Sequence, residues 1–100
     1  MTDIYLNTDW AVLSVNVVST GTAITYNRRL TSFTVKNTSD IEIYLYKSTT
    51  DTNPFVIYPR EWHSFIVDVS GKSVGDYIYG YLRTDSVTAT AIPIIVVYRA

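Results

Sequence analysis

Apolar and polar residues alternate with a period of two along most of this chain, the pattern of β-strands with one buried face. It is clearest in residues 31–47, where Phe33 and Val35 alternate with Thr34 and Lys36, and Ile41, Ile43 and Leu45 alternate with Glu42, Tyr44 and Tyr46. Asn37-Thr38-Ser39-Asp40 separates the two halves. Asn and Asp side chains bond the backbone two residues on and tolerate positive φ, so this stretch predicts a hairpin of two paired antiparallel strands.

The rest of the chain reads as strands added to it. Residues 10–18 set Ala11, Leu13, Val15 and Val17 against Trp10, Ser14 and Asn16; a short strand follows at 22–26, between the corners Ser19-Thr20-Gly21 and Asn27-Arg28-Arg29. Residues 48–54 hold no apolar side chain before Pro54 and predict a surface loop. Residues 55–58 lie between Pro54 and Pro59, which cannot donate ladder hydrogen bonds, and so belong at an edge or at a crossing between sheets. After the Pro59-Arg60-Glu61 corner, residues 62–69 set His63, Phe65, Val67 and Val69 against Ser64, Ile66 and Asp68. Residues 77–83 place Tyr77, Tyr79 and Tyr81 on one face and Ile78, Gly80 and Leu82 on the other. In the last strand, 87–99, the unbroken run Ile94-Ile95-Val96-Val97 predicts either two covered faces or a bulge near Pro93. Together these strands predict an all-β fold: an antiparallel β-sandwich of about seven or eight strands, immunoglobulin-like or jelly-roll in type. Residues 1–9 are expected as an N-terminal arm or edge strand and residues 10–100 as a single sandwich domain.

Composition agrees with that pattern. Fourteen Thr, twelve Val, ten Ile and nine Tyr make up nearly half of the 100 residues, and these types fit a pleated, half-buried surface. A net charge of −1 and a charged fraction of 17% provide no field to attract nucleic acid or an anionic membrane. No apolar run approaches the roughly 20 residues of a membrane-spanning helix. The first nine residues lack the basic start and apolar stretch of a secretory signal, so synthesis in the cytoplasm is expected.

Candidates for chemistry are sparse. His63 is the sole histidine and there is no cysteine, so the usual zinc sets cannot form, and a serine-histidine-aspartate arrangement would have to draw on His63, Ser64 and Asp68. Gly71-Lys72-Ser73 lacks the preceding glycine of a phosphate loop, since Ile66 stands five positions before Gly71. Asp51 and Asn53 are a thin start towards a calcium shell. Asn37-Thr38-Ser39 matches the N-glycosylation pattern, but a turn explains the same residues. No catalytic residue, metal or cofactor is expected.

The aromatic residues stand out instead. Tyr44 and Tyr46 oppose inward Ile43 and Leu45, and Tyr77, Tyr79 and Tyr81 oppose Ile78 and Leu82, so rings are expected on an outer face. With Trp62 they form the candidate binding set, suited to a flat subunit interface or to stacking on sugar rings. Packing as cross-strand ladders or as a second core layer would explain the same residues.

Lys36-Asn37-Thr38-Ser39-Asp40, the strand Ile41-Glu42-Ile43-Tyr44-Leu45, a Ser/Thr-rich loop, the Pro59-Arg60-Glu61 corner, Tyr77-Ile78-Tyr79-Gly80-Tyr81 and a closing Val/Ile strand resemble accessory virion proteins of tailed bacteriophages. These are capsid decoration or cement proteins and head-fibre or tail-adaptor domains. The resemblance spans about residues 31–98, with Arg60 where such families often carry glycine. It implies a non-enzymatic virion protein that forms a homo-oligomer, often a trimer, seated on a capsid or tail protein. A carbohydrate-binding module or receptor-binding fibre tip, with a glycan as ligand, is the alternative.

Overall fold

The structure, a computed structural model, describes residues 8–67, 77–86 and 88–99. Eight strands form: β1 (Thr8–Val17), β2 (Thr22–Tyr26), β3 (Leu30–Lys36), β4 (Ile43–Tyr46), β5 (Phe55–Ile57), β6 (Trp62–Ile66), β7 (Tyr77–Arg83) and β8 (Thr90–Arg99). They make two antiparallel four-stranded sheets, β1-β8-β3-β6 and β2-β7-β4-β5, and no helix occurs among the described residues. The all-β sandwich expected from the sequence is thus the observed fold. β1, an edge strand, takes in Thr8 and Asp9 from the stretch expected as an arm or edge strand, and the rest of that stretch, residues 1–7, lies outside the described residues.

Pairing is nested: β1 with β8, β2 with β7, β3 with β6 and β4 with β5. The chain behaves as one long hairpin whose successive strand pairs are laid alternately in the two sheets, and cross-pairs β3·β8 and β4·β7 stitch each sheet together. That is a jelly roll.

This topology corrects the hairpin expected at residues 31–47. β3 and β4 lie in different sheets, and the consecutive strands that pair are β4 and β5, with the polar loop 47–54 as their tip. The reason is in the turn residue. Asn37 is buried, and its Nδ2 donates to the carbonyls of Ile41 (2.7 Å) and Ile57 (2.9 Å) while its Oδ1 accepts from the Ser39 backbone N–H. Its own N–H donates to the Glu61 carbonyl at 2.8 Å, and its carbonyl accepts from Arg60 N–H at 2.9 Å. A side chain pinned on both sides steers the chain from one sheet into the other rather than back along itself. The same bonds leave Nδ2 no access to a glycan donor.

The opposing corner is Pro59-Arg60-Glu61, where Arg60 takes a positive φ of 68°. Its guanidinium holds the Asn37 corner from outside, donating to the Thr38 carbonyl (3.0 Å) and pairing with Asp40.

Inward residues of both sheets fill the core. Val15 and Val17 from β1, Phe33 and Val35 from β3, and Ile92, Ile94 and Val96 from β8 meet Ile24, Ile43, Ile57 and Leu82 of the other sheet. Burying each such side chain stabilises the fold by about 1.5–3 kcal/mol. β8 keeps one unshifted register with β1 over ten residues, so its apolar run needs no bulge. Ile92, Ile94 and Val96 point in, and Pro93, Ile95 and Val97 are half-buried on the other side. The β3 ladder stops at Val35 opposite Ile94, which puts Pro93 just beyond the last pair, where a missing N–H costs little.

Candidate interaction surfaces

The candidate aromatic set divides between opposite faces of the sandwich. Tyr44, Tyr46 and Tyr81 lie on the outer face of β2-β7-β4-β5, opposite the inward Ile43, Leu45 and Leu82 as expected. Tyr46 pairs with Tyr81 and Tyr81 with Ala23; Tyr44 pairs with Arg83. The Arg83 guanidinium lies 5.5 Å from the Tyr46 ring centroid, and its Nε donates to the Ser19 carbonyl at 3.1 Å. Tyr46, Tyr81 and Arg83, with the β1–β2 turn and the hairpin tip, line a concavity of about 320 Å³ shared with Thr20, Ser48, Thr49 and Asp51. Desolvation, the hydrogen bond to Glu42 (3.1 Å) and the charge of Asp85 push the Tyr44 phenol up to about 12.

Tyr79 is a correction. The register between β2 and β7 shifts at Ile24/Thr25, so Ile24 pairs with Gly80, Thr25 pairs with Ile78, and Tyr79 is the extra residue between them. A bulge of this kind breaks the alternation. Tyr79 therefore packs against the core, its hydroxyl donating to the Arg28 carbonyl (2.9 Å) and accepting from Leu30 N–H (3.2 Å), while Ile78 faces outward. Tyr77 opens β7 with its backbone opposite Tyr26.

Trp62, the sixth candidate, is 62% exposed on the other sheet. There the outward rows run Trp10–Val97–Ser32–Ile66 and Val12–Ile95–Thr34–Ser64, with Trp62 beside them opposite Lys36. Trp10, Val12 and Ile66 are 54%, 56% and 93% exposed. Two apolar strips result, one on β1 and β8 and one on β6, separated by hydroxyls of which Thr34 and Ser64 bond each other at 2.7 Å. Exposed apolar side chains grouped on one face make that face a candidate for contact with a partner. Sequence reading missed Val12, Ile66, Ile95 and Val97 because period two identifies two faces without saying what covers the outer one. The signal available was that β1 and β8 are apolar on both parities.

Between the sheets, at the end where β4, β5 and β6 meet, Phe33, Leu45, Phe55, Phe65, Val67 and Tyr79 line a cleft of about 670 Å³. Phe65 stacks on Phe33 (5.2 Å) and meets Phe55 edge-on (5.4 Å).

Among the described residues, His63 and Ser64 are not brought together. His63 and Ser64, adjacent in β6, project to opposite faces. His63 instead lies 3.6 Å from Glu61 and edge-on to Phe55, and Ser64 bonds Thr34. Asp68 and Gly71-Lys72-Ser73 lie outside the described residues. The Asp51 carboxylate accepts from the backbone N–H groups of Asn53 (3.1 Å) and Lys47 (3.3 Å), which hold it below the usual carboxylate range and make it the clasp of the hairpin tip. No group of three or more metal-ligating side chains occurs among the described residues. No family model matches the chain, and no curated protein or solved structure matches it.

Proposed function

We propose that this chain is a non-enzymatic structural protein of a bacteriophage virion, a capsid decoration or head or tail accessory protein that self-associates and docks on a capsid or tail surface. The observation that carries the reading is the outer face of β1-β8-β3-β6, where Trp10, Val12, Ile66 and Trp62 are each more than half exposed. A jelly roll is compatible with this use, as the architecture recurs in viral capsid proteins, although it also serves lectins. Light scattering on the purified chain, followed by co-sedimentation with phage shells, tests it. An assembly that sediments with shells, and loses that ability in Ile66→Lys or Trp62→Ser, is expected. A monomer that leaves the shells untouched removes the proposal.

A second reading, saccharide binding, is favoured by one observation. The concavity on the opposite sheet joins two tyrosine rings, a guanidinium and a carboxylate with three hydroxyl side chains, at the small end of the roughly 300–1,000 Å³ typical of ligand sites. A glycan array probes it. A binder lost in Tyr46→Ala and Tyr81→Ala supports it, and an array without binders counts against it.

A further inference from the structure

The four sheet edges are not equally protected. β5 has three residues between two prolines; β2 has five, carries a register shift in its pairing and runs into Arg28 and Arg29; β6 has five. β1 is ten residues long, unshifted in register, and contains no Pro, Gly, Lys or Arg; Asp9 is its one charge. Among the described residues no strand lies along its outer side. Short length, prolines, bulges and inward or edge charges are the devices that stop edges from pairing, and β1 has none of them beyond Asp9.

Which groups point outward can be read from two bonds. Trp10 N–H donates to the Asp9 carboxylate (2.9 Å) and the Asn16 carbonyl accepts from the Thr22 hydroxyl (2.8 Å), so both residues turn their backbone away from β8. Backbone groups alternate sides along an antiparallel strand, which puts Trp10, Val12, Ser14 and Asn16 on the open edge. Between Trp10 and Asn16 the groups left to pair there are the Trp10 carbonyl, both groups of Val12 and of Ser14, and the Asn16 N–H.

We infer that β1 pairs antiparallel with β1 of a second copy, about a two-fold axis at Leu13. The inference rests on the self-association in the proposed function and names its surface. In this register Val12 opposes Ser14 of the second copy and Trp10 opposes Asn16. Six backbone hydrogen bonds then form from the open groups, and the two groups already engaged, Trp10 N–H and the Asn16 carbonyl, fall opposite one another. Centring the pair on Val12 or on Ser14 instead sets engaged groups against open ones and leaves those open groups unpaired. An antiparallel pairing of one strand with itself closes as a two-fold dimer, and the two outer apolar faces become one. The occupant is a second copy because β1, turned about this axis, presents the order of open and engaged groups that matches its own.

The absence of cysteine makes the register testable by single substitutions. At the axis, Leu13 and its mate form a non-hydrogen-bonded pair with Cα atoms about 4.5 Å apart, within the range a disulfide spans. The two copies of Asn16 lie roughly 20 Å apart. Mild oxidation is expected to convert Leu13→Cys to a covalent dimer and to leave Asn16→Cys uncrosslinked. The unmodified chain is expected to scatter as twice 11.3 kDa, or as a larger even assembly. Val12→Pro removes an N–H from the open edge and is expected to give a monomer with an unchanged circular dichroism spectrum. An assembly that survives Val12→Pro and does not crosslink at Leu13, or a trimer, overturns the edge pairing while self-association stands. A wild-type monomer at every concentration removes both.

Discussion

Single side chains decide where this chain turns and which rings stay inside. Asn37 satisfies two carbonyls and a corner from a buried position, so Asn37→Ala strands acceptors away from water and is expected to cost about 2–4 kcal/mol in urea unfolding. Tyr79 and Tyr81 are two residues apart and differ in kind. Tyr79→Phe removes a hydroxyl that bonds two backbone groups and is expected to lower stability by about 1–3 kcal/mol, whereas Tyr81→Phe is expected to stay within about 0.5 kcal/mol. Equal effects would show that the β7 bulge is misplaced. Tyr44 offers a test in pH. Its folded value of about 12 lies above the ordinary 10, so its stabilising contribution is whole below pH 10 and is lost as pH rises through about 12. The difference in urea midpoint between wild type and Tyr44→Phe is therefore expected to be level from pH 7 to 10 and to move against wild type from 10 to 12; a level difference throughout contradicts the assignment.

At the level of strands, the alternation on β1, β4 and β6, and on β3 from Ser32 onward, is legible because each buries one face there without an inserted residue; in β3 the register with β8 shifts between Leu30 and Ser32. What the sequence concealed was partnership. A jelly roll pairs Thr8 with Arg99 and Val17 with Thr90, and nothing local in either strand encodes a match at that separation. The corner at Asn37 looked like a hairpin because a polar break between two alternating runs is compatible with either outcome; only the burial of Asn37 separates them. β7 was misread for a different reason, since one extra residue at Tyr79 inverts the parity of everything before it. The close approach at Gly80 tests that element. A Cβ there would stand 2.9 Å from Leu45 Cδ1 and 3.2 Å from the Tyr46 carbonyl, so Gly80→Ala is expected to cost about 1–3 kcal/mol, read from thermal unfolding.

For the molecule as a whole, the sandwich has two outer faces with different chemistry. One carries Tyr44 and, around a concavity, Tyr46, Tyr81 and Arg83; the other carries exposed indoles and aliphatic side chains. The sequence directed attention to the tyrosines because they recur at every second position, and it grouped Trp62 with them although Trp62 sits on the opposite side. The more apolar exposed face belongs to the sheet whose β1 edge lies open, and a sheet extended through that edge would make its apolar strips continuous. The chain's only two tryptophans, Trp10 and Trp62, both lie on this face, so their fluorescence reports its burial directly. Acrylamide quenching of tryptophan emission, measured on the free chain and again on phage shells, is expected to show both indoles shielded and blue-shifted in the shell-bound form and freely quenched in the free chain. Indoles that remain fully quenchable in the shell-bound state would contradict the claim that this face docks the molecule on its partner.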